Sequence, residues 1–172
     1  RINTTDQLFL ANSLPIREWD DFAAPNGSPK VQTLRGANGI DGNLSYFLGL
    51  SKPEITNICI LGDLTALYDM AAGFLYKKYY QKYEVKIVVI NNGGGKIFTP
   101  LFKNEYFENS HDIEFSGWAK MFGLSYQRIN NASEIKFSQQ NEVIELVPDN
   151  NESASFTADL NALVKESAGE EK

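Results

Sequence analysis

Two short polar motifs follow apolar runs in this sequence and could together hold a metal ion. A Gly-Asp-Leu motif at 62–64 ends the run 55–61, and an Asn-Asn pair at 91–92 ends the run 85–90. If the two runs are neighbouring strands, the Asp63 carboxylate and the Asn92 amide emerge at the same edge of a sheet. Hard divalent cations such as Mg²⁺ prefer oxygen ligands and often share phosphate oxygens and water. The pair therefore favours a metal site that also holds a diphosphate.

Three consecutive glycines, Gly93-Gly94-Gly95, follow the asparagine pair. They leave room for a ligand, and glycine readily adopts the positive φ that turns a backbone carbonyl inward. A loop carbonyl could therefore complete the set of oxygen ligands. The alternative for Asp63 is that it only caps the helix that follows it.

The composition is that of a globular protein with an acidic surface. The 172 residues include 42% hydrophobic and 22% charged side chains, and 22 acidic against 16 basic residues give a net charge of −6. This length is enough for one well-buried domain. The acidic balance argues against a nucleic-acid partner, because binding a phosphate backbone needs clustered lysine and arginine. The single cysteine, Cys59, excludes an internal disulfide and is predicted to be buried in an apolar run.

Neither a signal peptide nor a membrane span is predicted. The longest apolar runs are about five residues, far short of the roughly 20 that a membrane helix needs. We therefore expect a cytoplasmic protein. The chain lacks an initiator methionine and begins almost directly with a strand-like segment, so we expect it to be part of a longer protein.

Apolar runs rich in β-branched residues alternate with segments of helical period. This alternation is typical of βαβ units. We therefore predict a doubly wound α/β fold, with a mainly parallel sheet of about five or six strands and helices on both faces. The predicted strands are Gln7–Ala11, Ile55–Leu61, Val85–Ile90, Ser125–Ile129 and Val143–Val147. The predicted helices are Ile16–Phe22, one long helix from Leu64 to Leu75, Phe115–Phe122, a short helix near Ala132–Ser138, and Phe156–Val164.

Two segments, 12–29 and 91–111, lack a regular period apart from one short helix in the first. Long irregular segments in a compact α/β domain usually carry function. In doubly wound sheets the ligand binds at the carboxyl ends of the strands, which is where both segments begin. The sequence therefore predicts that these segments frame the binding site.

Four sequence blocks resemble one enzyme family. They read LANSLPIR at 10–17, RGANGIDG at 35–42, GDLTALYD at 62–69 and NNGGGKIF at 91–98. The Gly-Asp and Asn-Asn pair resembles the thiamine diphosphate motif of decarboxylases and carboligases. The four blocks together resemble the 2-succinyl-5-enolpyruvyl-6-hydroxy-3-cyclohexene-1-carboxylate synthases (SEPHCHC synthases) of menaquinone biosynthesis. The resemblance implies the C-terminal domain of a three-domain enzyme, covering residues 1–166, with a frayed tail at 167–172.

The resemblance also implies a cofactor, thiamine diphosphate with Mg²⁺ or Mn²⁺. Asp63, Asn92 and the carbonyl of Gly94 would hold the metal and, through it, the diphosphate. Ile40 would support the bent form of the cofactor, and Ile97 and Phe98 would lie against its thiazolium ring. The implied cofactor-binding residues are Asn12, Ser13, Gly39, Ile40, Gly62, Asp63, Leu64, Asn92, Gly94, Ile97 and Phe98.

The same resemblance implies an enzyme that decarboxylates 2-oxoglutarate and adds the resulting carbanion to isochorismate. Ser13, Arg17, Arg35 and Leu101 would bind these substrates, since arginine suits the recognition of carboxylates. The glutamate that activates the cofactor would come from an N-terminal domain, usually across the interface of a homodimer or a dimer of dimers. No catalytic residue is therefore assigned within this chain, and we expect the chain alone to be inactive.

Other interpretations stay open at this point. A different oxoacid decarboxylase or carboligase would use Asp63 and Asn92 but would not need Arg17 and Arg35 together. A non-catalytic α/β module for nucleotide binding or assembly would need none of these roles, and both arginines could be surface charges. His111, the single histidine, has no base partner visible in the sequence and is predicted to be structural.

Overall fold

The computed structural model describes residues 2–24, 29–99, 102 and 104–169, and the sheet within them confirms the predicted fold class. Its six strands are all parallel and lie in the order β2-β1-β3-β4-β6-β5. The strands span Gln7–Leu10 (β1), Lys30–Thr33 (β2), Thr56–Gly62 (β3), Glu84–Ile90 (β4), Ser125–Ile129 (β5) and Glu142–Leu146 (β6). The inner strands are nearly continuous apolar runs because both faces of a parallel sheet are covered.

The short edge strand β2 is absent from the predicted strands. It has four residues, pairs only with β1, and contains the polar side chains of Lys30 and Gln32. Since an edge strand does not need to be apolar on both faces, no apolar run marks it in the sequence.

One face of the sheet is covered by four helices that enclose the larger part of the core. The helices of the described residues span Leu14–Phe22 (α1), Asn43–Leu50 (α2), Asp63–Tyr68 (α3), Ala72–Leu75 (α4), Ser116–Phe122 (α5) and Asn150–Gly169 (α6). Phe47 of α2, Ala66 of α3, Ala72 of α4 and Trp118 of α5 belong to one buried cluster. The same cluster contains Cys59, which is fully buried as predicted.

The opposite face of the sheet is covered by α1 and by the segment that follows β5. Ile16 and Trp19 of α1 pack against Leu8 and Ile58, and Phe137 covers the neighbouring surface. The helix predicted near residues 132–138 is wrong, because only a 3₁₀ turn at 132–134 forms there. The remainder is extended and lays its apolar side chains on the sheet.

The single long helix predicted from Leu64 to Leu75 is also wrong. The chain leaves the helix at Asp69 and resumes it as α4, which continues into a π-helix over Tyr76–Tyr80. The Asp69 carboxylate is turned toward α2, where it accepts hydrogen bonds from the amide (2.7 Å) and hydroxyl (2.9 Å) of Ser45. Asp69 thus satisfies a donor in the first turn of α2, and the periodicity of the apolar residues gave no sign of that contact.

The last helix, α6, forms where it was predicted but leaves its apolar side chains exposed. Phe156 and Leu163 are 58% and 62% exposed, and Leu160 is half-buried. The ring of Phe156 lies 5.9 Å from that of Phe22 in α1. Among the described residues, no helix combines the length and the apolar character needed to cross a membrane.

Candidate cofactor and metal site

A cavity of about 90 Å³ opens at the carboxyl ends of β1, β3 and β4. The chain reverses its direction of travel across the sheet between β1 and β3, which is where doubly wound folds bind ligands. Gly62 at the end of β3 is paired in register with Ile90 at the end of β4. The residues that follow these strands, Asp63 and Asn92, therefore line the same cavity, as the sequence predicts.

The carboxylate of Asp63 is buried and holds the glycine loop in place. Its Oδ2 accepts hydrogen bonds from the backbone amides of Gly93 and Gly94, both at 2.9 Å. Its Oδ1 accepts one from the amide of Leu64 at 2.6 Å. Asp63 is the first residue of α3, and the N-cap position belongs to Gly62. The side chain therefore does more than cap a helix, because it joins the ends of two strands.

The amide oxygen of Asn92 lies beside this loop and lacks a protein partner. Within the described residues, Asn92 Oδ1 is a buried polar atom that accepts no hydrogen bond. A buried acceptor without a partner is costly, and such atoms commonly mark the place of an ion or a water molecule. The Asn92 amide oxygen therefore has lone pairs available to bind a metal ion.

Glycine is required at position 94 by the geometry of the loop. Its φ is +143°, and a Cβ atom there would lie 2.5 Å from the backbone oxygen of Glu108. The Gly94 carbonyl accepts one hydrogen bond, from the Lys96 amide at 3.0 Å, and has a second lone pair. A carboxylate, an amide oxygen and a carbonyl oxygen form a set that suits Mg²⁺ or Mn²⁺. Clusters of three or more His, Cys, Asp or Glu side chains are absent from the described part of the chain.

His111 lies next to the candidate metal carboxylate, a position that sequence reasoning missed. Its Nε2 is buried 3.4 Å from Asp63 Oδ2 and has no hydrogen-bond partner among the described residues, while its Nδ1 accepts from the amide of Ile113. The His111 amide donates to the carbonyl of Gly93. The histidine comes from an irregular segment far along the chain, so no motif or period in the sequence indicated this contact.

The remaining residues predicted to bind the cofactor fall into two groups. Those that line the cavity are Ser13, Ile40, Gly62, Asp63, Leu64, Asn92, Gly94, Ile97 and Phe98. Asn12 and Gly39 lie behind it: the buried Asn12 amide donates to the carbonyls of Ala37 (2.9 Å) and Gly39 (2.7 Å). Asn12 therefore holds the loop that presents Ile40 to the cavity.

Ser13 has a strained backbone at the mouth of the cavity. Its φ of 80° and ψ of −135° lie in a region that non-glycine residues rarely adopt. Such strain persists only where the surroundings enforce it, and it is concentrated at functional sites. Here it places the serine at the N-terminus of α1, against the cavity wall.

The residues predicted to bind substrates lie mostly outside the cavity. Arg17 on α1 and Arg35 after β2 are both exposed, and neither lines it. The guanidinium of Arg35 donates to Asn12 Oδ1 at 3.3 Å. Leu101 lies outside the described residues. The substrate-binding roles of these residues therefore stay predictions.

Two charged cavity residues were not predicted. Glu18 follows Arg17 on α1, and burial, together with the nearby carboxylate of Asp21, raises its pKa. Lys96 follows the glycine run and forms an ion pair of 2.7 Å with Glu108. Glu18 directly follows the block 10–17, and Lys96 lies within the block 91–98. Their positions in the sequence could therefore have indicated that they line the cavity.

Comparisons with known proteins give the fold and the family of the chain. No protein-family profile matches the chain. The fold is that of thiamine diphosphate-dependent enzymes: the Rhodococcus jostii thiamine diphosphate-dependent 4-hydroxybenzoylformate decarboxylase superposes with a TM-score of 0.63 over 84% of this chain and 30% of that one, at 17% identity.

Sequence relatives give the family. The chain is 43% identical over 163 residues to the 2-succinyl-5-enolpyruvyl-6-hydroxy-3-cyclohexene-1-carboxylate synthase of Bdellovibrio bacteriovorus, covering 92% of this chain and 31% of that enzyme. It is 34% identical to the synthase of Shewanella halifaxensis, over 97% of this chain and 32% of that enzyme. The chain belongs to the SEPHCHC synthase family and spans about a third of the length of these relatives.

Proposed function

We propose that this chain is the thiamine diphosphate- and metal-binding domain of a SEPHCHC synthase. One observation carries the proposal most directly. The unpartnered amide oxygen of Asn92 lies in the same cavity as the carboxylate of Asp63, at the carboxyl ends of adjacent parallel strands. The family relationship supplies the cofactor and the reaction.

The chain's own residues would hold the cofactor by its charged end. Asp63, Asn92 and the Gly94 carbonyl would bind Mg²⁺ or Mn²⁺, and the metal would bridge to the diphosphate. Ile40, Ile97 and Phe98 would supply the apolar walls, and Phe98 is 43% exposed, so it has surface to cover. When bound, thiamine diphosphate supplies the carbanion chemistry of an oxoacid decarboxylation.

Cationic side chains near the cavity would bind the substrates. 2-Oxoglutarate and isochorismate both carry two carboxylates, whereas the chain has a net charge of −6. Local positive charge must therefore draw these substrates to the site. Arg17 and Arg35 are exposed and free of carboxylate partners among the described ion pairs, and so can form bidentate contacts with a substrate.

The remaining catalytic groups would come from parts of the enzyme that this chain does not contain. The glutamate expected to activate the cofactor is assigned to an N-terminal domain, across a homodimer or dimer-of-dimers interface. Dimeric assembly and a cytoplasmic location belong to the same proposal. The chain alone is then inactive.

Calorimetric titration of the full-length protein with thiamine diphosphate in Mg²⁺ tests the metal-binding residues. Asp63→Ala should weaken binding by at least about 100-fold, since it removes a metal ligand rather than only an outer-shell partner. Asp159→Ala, which removes an exposed carboxylate from α6, is the matched control and should bind like the wild type. Equal affinities in all three proteins would overturn the proposal.

The choice of substrates is tested separately by turnover of the full-length enzyme. We expect 2-oxoglutarate to be decarboxylated and pyruvate to be a poor substrate. Arg17→Gln and Arg35→Gln should raise KM for 2-oxoglutarate while cofactor affinity stays unchanged. Preferred use of pyruvate would assign the chain to a different oxoacid decarboxylase.

A further inference from the structure

A carboxylate on β6, the strand between β4 and the edge strand β5, is fully buried and does not line the cavity. Glu145 in β6 is 0% exposed and accepts three hydrogen bonds. They come from the side-chain amide of Asn91 at 2.7 Å, the backbone amide of Phe115 at 2.8 Å and the hydroxyl of Tyr126 at 2.7 Å. Burying a carboxylate is costly unless hydrogen bonds or an opposite charge compensate it, and here three donors do so.

All three hydrogen-bond partners of Glu145 are donors. This position therefore suits a carboxylate, which only accepts, better than an amide, which also donates. Oε1 receives Asn91, and Oε2 receives both Phe115 and Tyr126. Burial and the hydrogen bond to Glu145 raise the pKa of Tyr126, so its hydroxyl stays a donor. A glutamine would have to point its NH₂ group at one of these donors.

The hydrogen bond to Glu145 fixes the orientation of the Asn91 side chain. The same Nδ2 group of Asn91 also donates to the carbonyl of Ile113 at 2.8 Å. Because the Nδ2 group points at Glu145 and Ile113, the Oδ1 atom of Asn91 must point toward the loop. There it accepts a hydrogen bond from the amide of Gly93 at 3.3 Å. That amide also donates to Asp63, so Asn91 and Asp63 hold the same loop residue from two sides.

We propose that Glu145 is a positioning residue for the metal-binding loop and acts through Asn91 on Gly93, which Asp63 holds together with Gly94. It also holds the chain just after the irregular segment 91–111, because Ile113 and Phe115 belong to the same network. The effect of Glu145 on the loop needs only these contacts, whereas its effect on metal affinity rests on the proposed function.

Three variants of the full-length protein separate positioning from general stability. Glu145→Gln keeps the shape but turns an NH₂ group toward at least one of the donors. Tyr126→Phe removes one hydrogen bond from the same carboxylate and leaves Asn91 and Phe115 bound, so it is the matched control. The double variant Glu145→Gln/Asn91→Asp restores a donor–acceptor pair with the same total charge, but it leaves the Ile113 carbonyl without its donor.

Two readouts are measured on each variant. Amide hydrogen exchange at Gly93 and Gly94, without metal or cofactor, reports the loop itself. Titration with Mg²⁺ in the presence of thiamine diphosphate reports metal affinity. Glu145→Gln should speed exchange and weaken Mg²⁺ binding by about 10-fold, the low end of the effect of removing a direct partner of a metal ligand, because Glu145 contacts no proposed ligand itself. Tyr126→Phe should lower the thermal stability and change neither readout, and the double variant should recover part of both.

The outcomes are distinguishable. Unchanged exchange in Glu145→Gln, or equal changes in Glu145→Gln and Tyr126→Phe, would overturn the proposal. Faster exchange in Glu145→Gln in a protein whose wild type binds no Mg²⁺ would support the loop contact and refute the proposed function. If Glu145→Gln does not fold, Asn91→Ala replaces it, and unchanged exchange in that variant would overturn the proposal.

Discussion

Asn92→Ala tests whether the unpartnered amide oxygen is kept for a metal ion. A buried polar atom without a hydrogen bond costs about 1–3 kcal/mol. In the absence of metal and cofactor, the substitution should therefore leave the free energy of unfolding unchanged within about 1 kcal/mol or raise it. Most truncations of buried side chains lower the free energy of unfolding. An unchanged or increased value for Asn92→Ala would therefore distinguish this residue from an ordinary buried one.

With metal and cofactor bound, the wild type should be more stable than Asn92→Ala. At a cofactor concentration of 100 times Kd, binding stabilises the wild type by about 2.7 kcal/mol. If the variant binds 100 times more weakly, the same concentration stabilises it by only about 0.4 kcal/mol. Urea unfolding of the full-length protein, with and without Mg²⁺ and thiamine diphosphate, measures both quantities.

Thr33→Val is the matched control for Asn92→Ala. Thr33 Oγ1 is also a buried atom without a partner, but it lies on the edge strand β2 and not in the cavity. Its removal should leave the stabilisation by cofactor at the wild-type value. If Asn92→Ala destabilised the metal-free protein by more than about 2 kcal/mol and retained the full stabilisation by cofactor, Asn92 would not be a metal ligand.

Three further substitutions test the site and the sheet that carries it. Gly94→Ala should destabilise the loop by about 1–3 kcal/mol and abolish cofactor binding, because its Cβ would meet the backbone oxygen of Glu108; denaturant titration and calorimetry check this. Lys86→Met should lower the free energy of unfolding by about 3 kcal/mol, since it leaves buried Glu142 without the ammonium 3.5 Å away, and equilibrium unfolding measures it. Hydrogen bonds from Lys96 and Thr99 lower the pKa of Glu108, so its contribution to stability is present above the ordinary carboxyl pKa and is lost as pH falls through the lowered value. The difference in Tm between wild type and Glu108→Gln should accordingly shrink as the pH is lowered below about 4.5.

Local patterns predicted the strands that position the site. Four of the strands were indicated by apolar runs and a fifth, Ser125–Ile129, by the alternation of strands and helices; parallel pairing then placed Asp63 and Asn92 at one edge. This worked because buried parallel strands must be apolar and because ligands gather at their carboxyl ends.

Contacts between distant residues could not be predicted in the same way. The break after α3 depends on Asp69 meeting Ser45, and the position of His111 depends on how an irregular segment folds back over the glycine loop. Neither contact leaves a period or a spacing in the sequence. The exposed apolar side chains of α6 were missed for a related reason: the period of a helix indicates its apolar face but not what covers that face.

Anomalous diffraction from crystals of the full-length protein grown with Mn²⁺ and thiamine diphosphate is the most direct test of the metal site. We expect one anomalous peak in the cavity, at about 2.0–2.2 Å from oxygens of Asp63 and Asn92 and from the carbonyl of Gly94. Bound cofactor with manganese on other ligands, or with none, would contradict this expectation.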